Sequence, residues 1–413
     1  MDEYLVIQAA RFGDLVQTKR LILSLLREGH VHLLLDRGLL PLAKRLYPSC
    51  QMHCLNFHAQ SFDATGLEKT LAELTHIPFK RVFNCNCSGL STSICRLFER
   101  EQIAGYRPTA KGQGIERSRL LRIIARLTRK RFQAAFNLVD MWGHLLADPI
   151  SPWDVNPVAH GQGGGLGVVL AGRQSRRSLP PELMAEIIRV QVVQRNVHAI
   201  FFFGTAQEKK VSHLLRRALP GNLQGMICDL CGKTNFADLI QALQGLDLVL
   251  TPDTGTMHLC AHLGVPVQAF FLSSAFCHET GPYGPGHSIW QVQTPCAPCL
   301  ESADCSHQLA CLQALQSHAF LRAVSLAAKG VPDHLPEHIC FLTTDCDRLG
   351  GIARLVAGID PWQAERRYIR QCLQSLILGD GHSLCPPNFQ QHAAIDALLI
   401  DDSDWMLPPE RFA

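Results

Sequence analysis

Short apolar runs rich in β-branched and aromatic residues alternate along this chain with longer segments of helical period, and the alternation occurs twice. No other feature restricts the fold as much. A strand that is apolar on both faces must be covered on both, and a strand–helix–strand passage brings the chain back in parallel, so the pattern dictates parallel sheets between layers of helix. In the first half, Tyr4–Ala9, Val31–Leu35 and Arg81–Cys85 read as buried strands, with a helix over Leu15–Glu28. In the second, the strands are Gly167–Ala171, Ala199–Phe203, Met226–Cys228, Leu246–Leu250 and Val267–Leu272, with a helix over Pro181–Val193. Residues 148–165, DPISPWDVNPVAHGQGGG, break every period with proline and glycine and read as a linker. The expectation is an α/β chain of two doubly wound, Rossmann-like lobes, residues 1–155 and 156–330, with a cleft between them. Beyond residue 330 the pattern turns to helix without strand, Trp362–Leu378 being the clearest case. Residues 331–413 are therefore expected to form a helical C-terminal extension, whose acidic end DDSDWMLPPERFA is loosely held.

Composition narrows the class. A chain of 413 residues that is 47% hydrophobic can bury more than one core, which excludes global disorder. No window of about twenty residues is continuously apolar, so no membrane span is expected. The opening MDEYLVIQAARFGD lacks the basic start and small-residue cleavage site of a secretion signal, which points to the cytoplasm. Net charge is +3, but residues 1–155 hold 21 Lys+Arg against 14 Asp+Glu, giving +7 there and −4 in the remainder. The basic half is the one to offer to an anion. Nucleic acid is not the expected anion, since aromatic and basic residues do not interleave and no recognition motif is present. Of the 17 cysteines, Cys260, Cys340 and Cys372 sit singly in apolar runs, where a thiol is a small buried hydrophobe. A disulfide framework is not expected in a reducing compartment.

The most informative stretch is Leu246–Phe271, LDLVLTPDTGTMHLCAHLGVPVQAFF. A buried strand ends at Leu250, a turn of Thr, Asp and Gly follows, and Met257–Leu263 restarts as a helix closed by Gly264 and Pro266. Such a turn aims the N–H groups of Thr254, Gly255, Thr256 and Met257 from the positive end of a helix, which suits a phosphate. Asp253 and Thr254 are equally the residues that simple helix capping requires, so the residues alone leave both readings open.

Asp253, Thr254, Gly255 and His258 stand at the spacing of the Asp-Thr/Ser-Gly-x-x-His motif of glycosyltransferase family 9, the heptosyltransferases, which this segment resembles. The N-terminus, YLVIQAARFGDLVQTKRLILSLL, is similar to that family's first strand, Gly-Asp turn and first helix. Ala171–Glu182 and Cys231–Leu243 agree in order, so the resemblance covers most of residues 4–311. It implies a GT-B fold and inverting transfer of heptose from ADP-heptose, the donor held by the C-terminal lobe and the acceptor by the N-terminal one. It makes Asp14 the base that takes the acceptor's proton; helix capping after Gly13 is the competing role. It places Arg177, with Arg176 beside it, where the family usually offers a lysine to the diphosphate, and a planar fork differs from a point charge. Thr205 and Lys233 are further donor-side candidates, or merely residues of solvated turns, and His258 is set to contact the diphosphate. After the motif the family commonly continues Phe-Gly-x-Thr; this chain reads Phe271, Leu272, Ser273, Ser274.

Two segments lie outside that motif. Residues 116–132, ERSRLLRIIARLTRKRF, set Leu120, Leu121, Ile124 and Leu127 on one helical face and Arg119, Arg122, Arg126 and Arg129 largely on the other. Such a helix can bind the carboxylates and phosphates of a glycolipid core, rest on an anionic membrane surface, or simply cover its lobe. Cys296, Cys299, Cys305 and Cys311, with His307 among them, can close a tetrahedral Zn or Fe site, stay reduced and buried, or pair as disulfides. Relatives that modify autotransporter proteins hold iron in a four-cysteine site. The transfer itself is expected to need no metal, as the resemblance to that family implies and as the lack of an Asp-x-Asp pair near the donor motif agrees. Three functions follow: an enzyme building the lipopolysaccharide core at the inner membrane face, a protein O-heptosyltransferase acting on a surface protein, or a non-catalytic GT-B scaffold.

Overall fold

The computed structural model describes residues 1–57, 64–112, 114–128, 130–170, 175–300, 304–330, 332 and 334–379. Arg129, residues 171–174 and the acidic tail from residue 380 lie outside the described residues. The chain forms two compact units: Met1–Val155 with the described residues from Tyr368, and Asn156–Arg367.

In the first unit, the strands are β1 (Asp2–Gln8), β2 (Gly29–Asp36), β3 (Gln51–Leu55), β4 (Phe79–Asn84), β5 (Ile103–Pro108) and β6 (Ile115–Arg117), in the order β3-β2-β1-β4-β5-β6. The first five are parallel and β6 is antiparallel, with Tyr4 opposite Val31 and Ile7 opposite Asn84. Leu5, Ile7, Leu34, Leu55, Val82 and Ile103 make the core, as their unbroken apolar runs require. The expected helix Leu15–Glu28 is instead two, Phe12–Gln17 and Lys19–Leu26, because Thr18 leaves helical geometry and its hydroxyl donates to the Leu15 carbonyl at 2.7 Å. The second of these buries Arg20, whose Nη1 donates to Asp140 Oδ1 at 2.6 Å and whose Nε donates to the Ile150 carbonyl. That ion pair locks Lys19–Leu26 to the helix Leu138–Gly143.

The second unit contains β7 (Leu166–Val169), β8 (Ile200–Phe203), β9 (Ile227–Asp229), β10 (Leu248–Pro252), β11 (Val267–Phe271), β12 (Ser288–Val292), β13 (Ile339–Cys346) and β14 (Gly351–Ala357). Their order is β14-β13-β12-β11-β10-β7-β8-β9, parallel from β12 to β9. Helix Pro181–Arg195 covers one face through Leu183, Met184, Ile187 and Ile188.

One expectation fails here. Residues beyond 330 do not form a helical extension alone: β13 and β14 extend the second sheet as an antiparallel pair on β12. ICFLTTDC reads poorly as a strand because cysteine and aspartate interrupt its β-branched signal, yet Cys340, Leu342 and Cys346 are buried. The final described helix, Gln363–Leu378, lies where Trp362–Leu378 was expected.

Candidate functional site

Both sheets share a 3-2-1-4-5 strand order, so each has a place where neighbouring strands lead their connections to opposite sides. In open α/β sheets ligands settle at such a point, outside the carboxyl ends of the strands. In the second unit it lies between β7 and β10.

The residues leaving β10 form a compact turn. Thr254 caps the helix Gly255–Leu263, its hydroxyl accepting the Met257 N–H at 3.3 Å and lying 3.1 Å from the Thr251 hydroxyl. Gly264 ends that helix with φ 72°, a left-handed conformation that glycine adopts without strain. Across the switch point, Arg177 follows β7, and its Nη2 donates to Asp253 Oδ2 at 2.7 Å and to the Asp253 carbonyl at 2.9 Å. Thr280, at the end of the helix Cys277–Thr280, donates to the same Oδ2 at 3.0 Å. His258 Nε2 lies 3.8 Å from the other oxygen, and the ring is buried.

A carboxylate so engaged is poorly placed to meet an anionic diphosphate. Asp253 instead fixes the Arg177 guanidinium beside the helix N-terminus, where cationic and backbone donors point at the same edge. Thr254, Gly255, Thr256 and His258 belong to that turn, as the motif spacing implied. Thr280 carried no sequence signal, for it lies in an unpatterned stretch after β11 and reaches Asp253 only through the tertiary fold.

Thr205 and Lys233 lie farther along the carboxyl edge, after β8 and β9. Thr205 caps the short turn Ala206–Glu208, trading bonds with Glu208 and Gln207, and the Lys233 ammonium donates to the Asp229 carbonyl at 2.7 Å. Both are exposed and occupied by their own turns.

Asp14 stands at the matching switch point of the first unit, where the chain leaves β1. It is half-buried in the first turn of Phe12–Gln17, and its Oδ2 accepts the Arg11 N–H at 3.0 Å. The capping role is thus realised in geometry, and the carboxylate is held at the edge of the sheet by that bond. Asn86, which sequence reasoning passed over, laces the same edge: its side chain accepts from Ala9 N at 3.0 Å and donates to the Ile7 carbonyl at 2.7 Å.

The basic helix runs over Arg119–Leu127, shorter than the patterned segment. Leu121 and Ile124 are buried, Arg119 is exposed, and Arg122 and Arg126 are half-buried.

The four clustered cysteines form no disulfide among the described residues, and the other described cysteines form none either. Burial raises the Cys311 pKa, and the neighbouring Cys296, Cys299 and Cys305 thiols push it the same way. Exposed Cys305 is shifted down instead, by N–H groups of Leu309 and His307. Among the described residues, no three His, Cys, Asp or Glu side chains are grouped as a metal site. Cys260, Cys340 and Cys372 are buried, as their apolar surroundings predict. No described helix is long and apolar enough to cross a membrane.

Residues 168–310 match the model of glycosyltransferase family 9 (heptosyltransferase). A 74-residue stretch is 32% identical to lipooligosaccharide heptosyltransferase 2 of Haemophilus influenzae, covering 18% of this chain and 21% of that relative. A glycosyl transferase family 9 structure from Veillonella parvula aligns at TM-score 0.52 and 14% identity, over 70% of this chain and 85% of that one. E. coli heptosyltransferase WaaC with ADP aligns at TM-score 0.51 and 13% identity, over 70% and 92%. At such identities the structural likeness speaks for the fold. The family match spans β8 to β12 of the second sheet and takes in the Asp253–His258 turn.

Proposed function

We propose that the chain is an inverting glycosyltransferase that moves heptose from ADP-heptose to a lipopolysaccharide core or related anionic glycan. The observation that carries this reading is Arg177 pinned to Asp253 at the switch point of the second sheet, beside the N-terminus of Gly255–Leu263. A departing diphosphate is best stabilised by donors already in place before charge develops on it. Arg177 and the N–H groups of the Thr254–Thr256 turn fill that role, with His258 alongside and Asp253 orienting the arginine.

Asp14 is the base in this scheme. The acceptor hydroxyl passes its proton to the carboxylate as its oxygen bonds to the anomeric carbon, and the bond to the diphosphate breaks on the opposite face, ADP leaving with the electron pair. A single displacement of this kind inverts the anomeric centre. Arg119, Arg122 and Arg126 meet the acceptor's anionic groups at a peripheral membrane surface. Thr205 and Lys233 keep their local roles. No step passes through a metal.

A thermal-shift screen tests the reading, since a ligand that binds only the folded state raises its melting temperature. ADP and ADP-heptose should stabilise the protein, and Asp14→Asn should keep that stabilisation while transfer falls by about 10²–10⁴-fold. If no nucleotide diphosphate or its sugar stabilises the wild type, the assignment fails.

A further inference from the structure

Ser273, the second residue beyond β11, has φ 62°. A non-glycine residue is held in the left-handed region only when its surroundings over-determine it, and such strain gathers at functional sites. Its surroundings here come from the cysteine loop. The Ser273 carbonyl accepts the Cys299 N–H at 3.0 Å, its hydroxyl lies 3.5 Å from Cys299 Sγ, and its own N–H is directed to the Cys311 sulfur. Ser273 is 3% exposed, so these contacts stand in place of water.

The next residue of that loop bonds to a different segment. The Leu300 carbonyl accepts a bond from Arg176 Nη2 at 3.0 Å, and Arg176 is the neighbour of the arginine that pins Asp253. The strand order gives these two contacts their meaning. Arg176 follows β7 and Ser273 follows β11, the strands on either side of β10, and Phe270 stands opposite Pro252 in the register. Consecutive residues Cys299 and Leu300 therefore tie together the two chain segments that flank the Asp253–Thr254 turn.

We propose that Cys299 and Leu300 form a strap that positions the diphosphate-binding turn, with Ser273 and Arg176 as its anchors. The strap rests on the donor-site reading above and adds to it: the four-cysteine loop serves nucleotide binding through its backbone and thiols, whatever else those thiols do. Ser273 and Cys299 are positioning residues and need not touch the nucleotide. The arrangement also accounts for a serine in a conformation that glycine would adopt more easily, since the side chain supplies a contact that glycine lacks.

Calorimetric titration with ADP, run beside urea unfolding of each variant, tests this. Ser273→Gly keeps the left-handed turn and should bind ADP within about threefold of wild type, whereas Ser273→Val, strained there by its branched side chain, should weaken binding about tenfold or more. Cys299→Ser keeps the N–H and a polar partner for Ser273 and should resemble wild type; Cys299→Pro removes the donor and should resemble Ser273→Val. Unfolding midpoints near wild type separate positioning from general loss of structure. If wild type binds ADP and all four variants bind within twofold of it, the strap is refuted and the donor site stands. If Ser273→Val or Cys299→Pro weakens binding only in step with a collapsed unfolding midpoint, the residues are structural and the strap is again refuted. If wild type binds no ADP, both readings fall.

Discussion

Removing the charge of Asp253 without changing its shape should cost less than removing the group. Its carboxylate accepts from Arg177 at 2.7 Å and from Thr280 at 3.0 Å, and the paired side chains are 12% and 10% exposed, so solvent screens them weakly. A hydrogen bond to a charged group contributes about 1.5–3 kcal/mol against about 1 kcal/mol for a neutral one. Asp253→Asn keeps an acceptor and loses the difference, about 0.5–2 kcal/mol. Asp253→Ala leaves a nearly buried guanidinium without its carboxylate, a situation that costs about 3–5 kcal/mol. Thr280→Ala, which removes one donor to the charged carboxylate, should cost about 1.5–3 kcal/mol. Urea unfolding followed by far-ultraviolet circular dichroism reads these differences, and ADP titration should show weaker binding in the same order. Should the Ala and Asn variants both fall within about 0.5 kcal/mol of wild type, the size expected of an inconsequential surface change, the carboxylate does not hold Arg177 and the reasoning fails.

Arg20→Ala strands Asp140, which is wholly buried, and should destabilise the first unit by about 3–5 kcal/mol in urea; Arg20→Met combined with Asp140→Leu should recover most of it. His287, 1% exposed, has its pKa pushed down by burial from 6.5 to about 4. The unfolded chain therefore takes up a proton below 6.5 that the folded one refuses until about 4, so stability present at neutral pH is lost as pH falls through that window, by up to about 3 kcal/mol. His287→Gln should flatten that part of the urea-midpoint profile, and an unchanged slope would contradict it. For the cysteine loop, a metal assay on protein purified without chelator is decisive: less than about a tenth of an equivalent of Zn or Fe removes the four-thiol cage, and transfer should proceed fully in EDTA.

Periodicity made the two-sheet α/β architecture legible, because strands buried on both faces must be apolar throughout and the helices between them keep their 3.6-residue stripe. The Asp253–His258 turn was legible for a related reason: a strand, a capping threonine and a helix start are local events, written in adjacent residues. What the sequence could not disclose are pairings between distant segments. Arg177 meets Asp253 across 76 positions, Thr280 reaches the same carboxylate, and Cys299 and Leu300 reach Ser273 and Arg176 on opposite sides of β10. β13 and β14 were hidden because an edge pair is specified by the neighbour it joins more than by its own composition. Local chemistry thus determined which elements form and where a helix begins; only the order of strands in the sheet decided which side chains meet at its carboxyl edge, since that order sets the neighbours of every chain end.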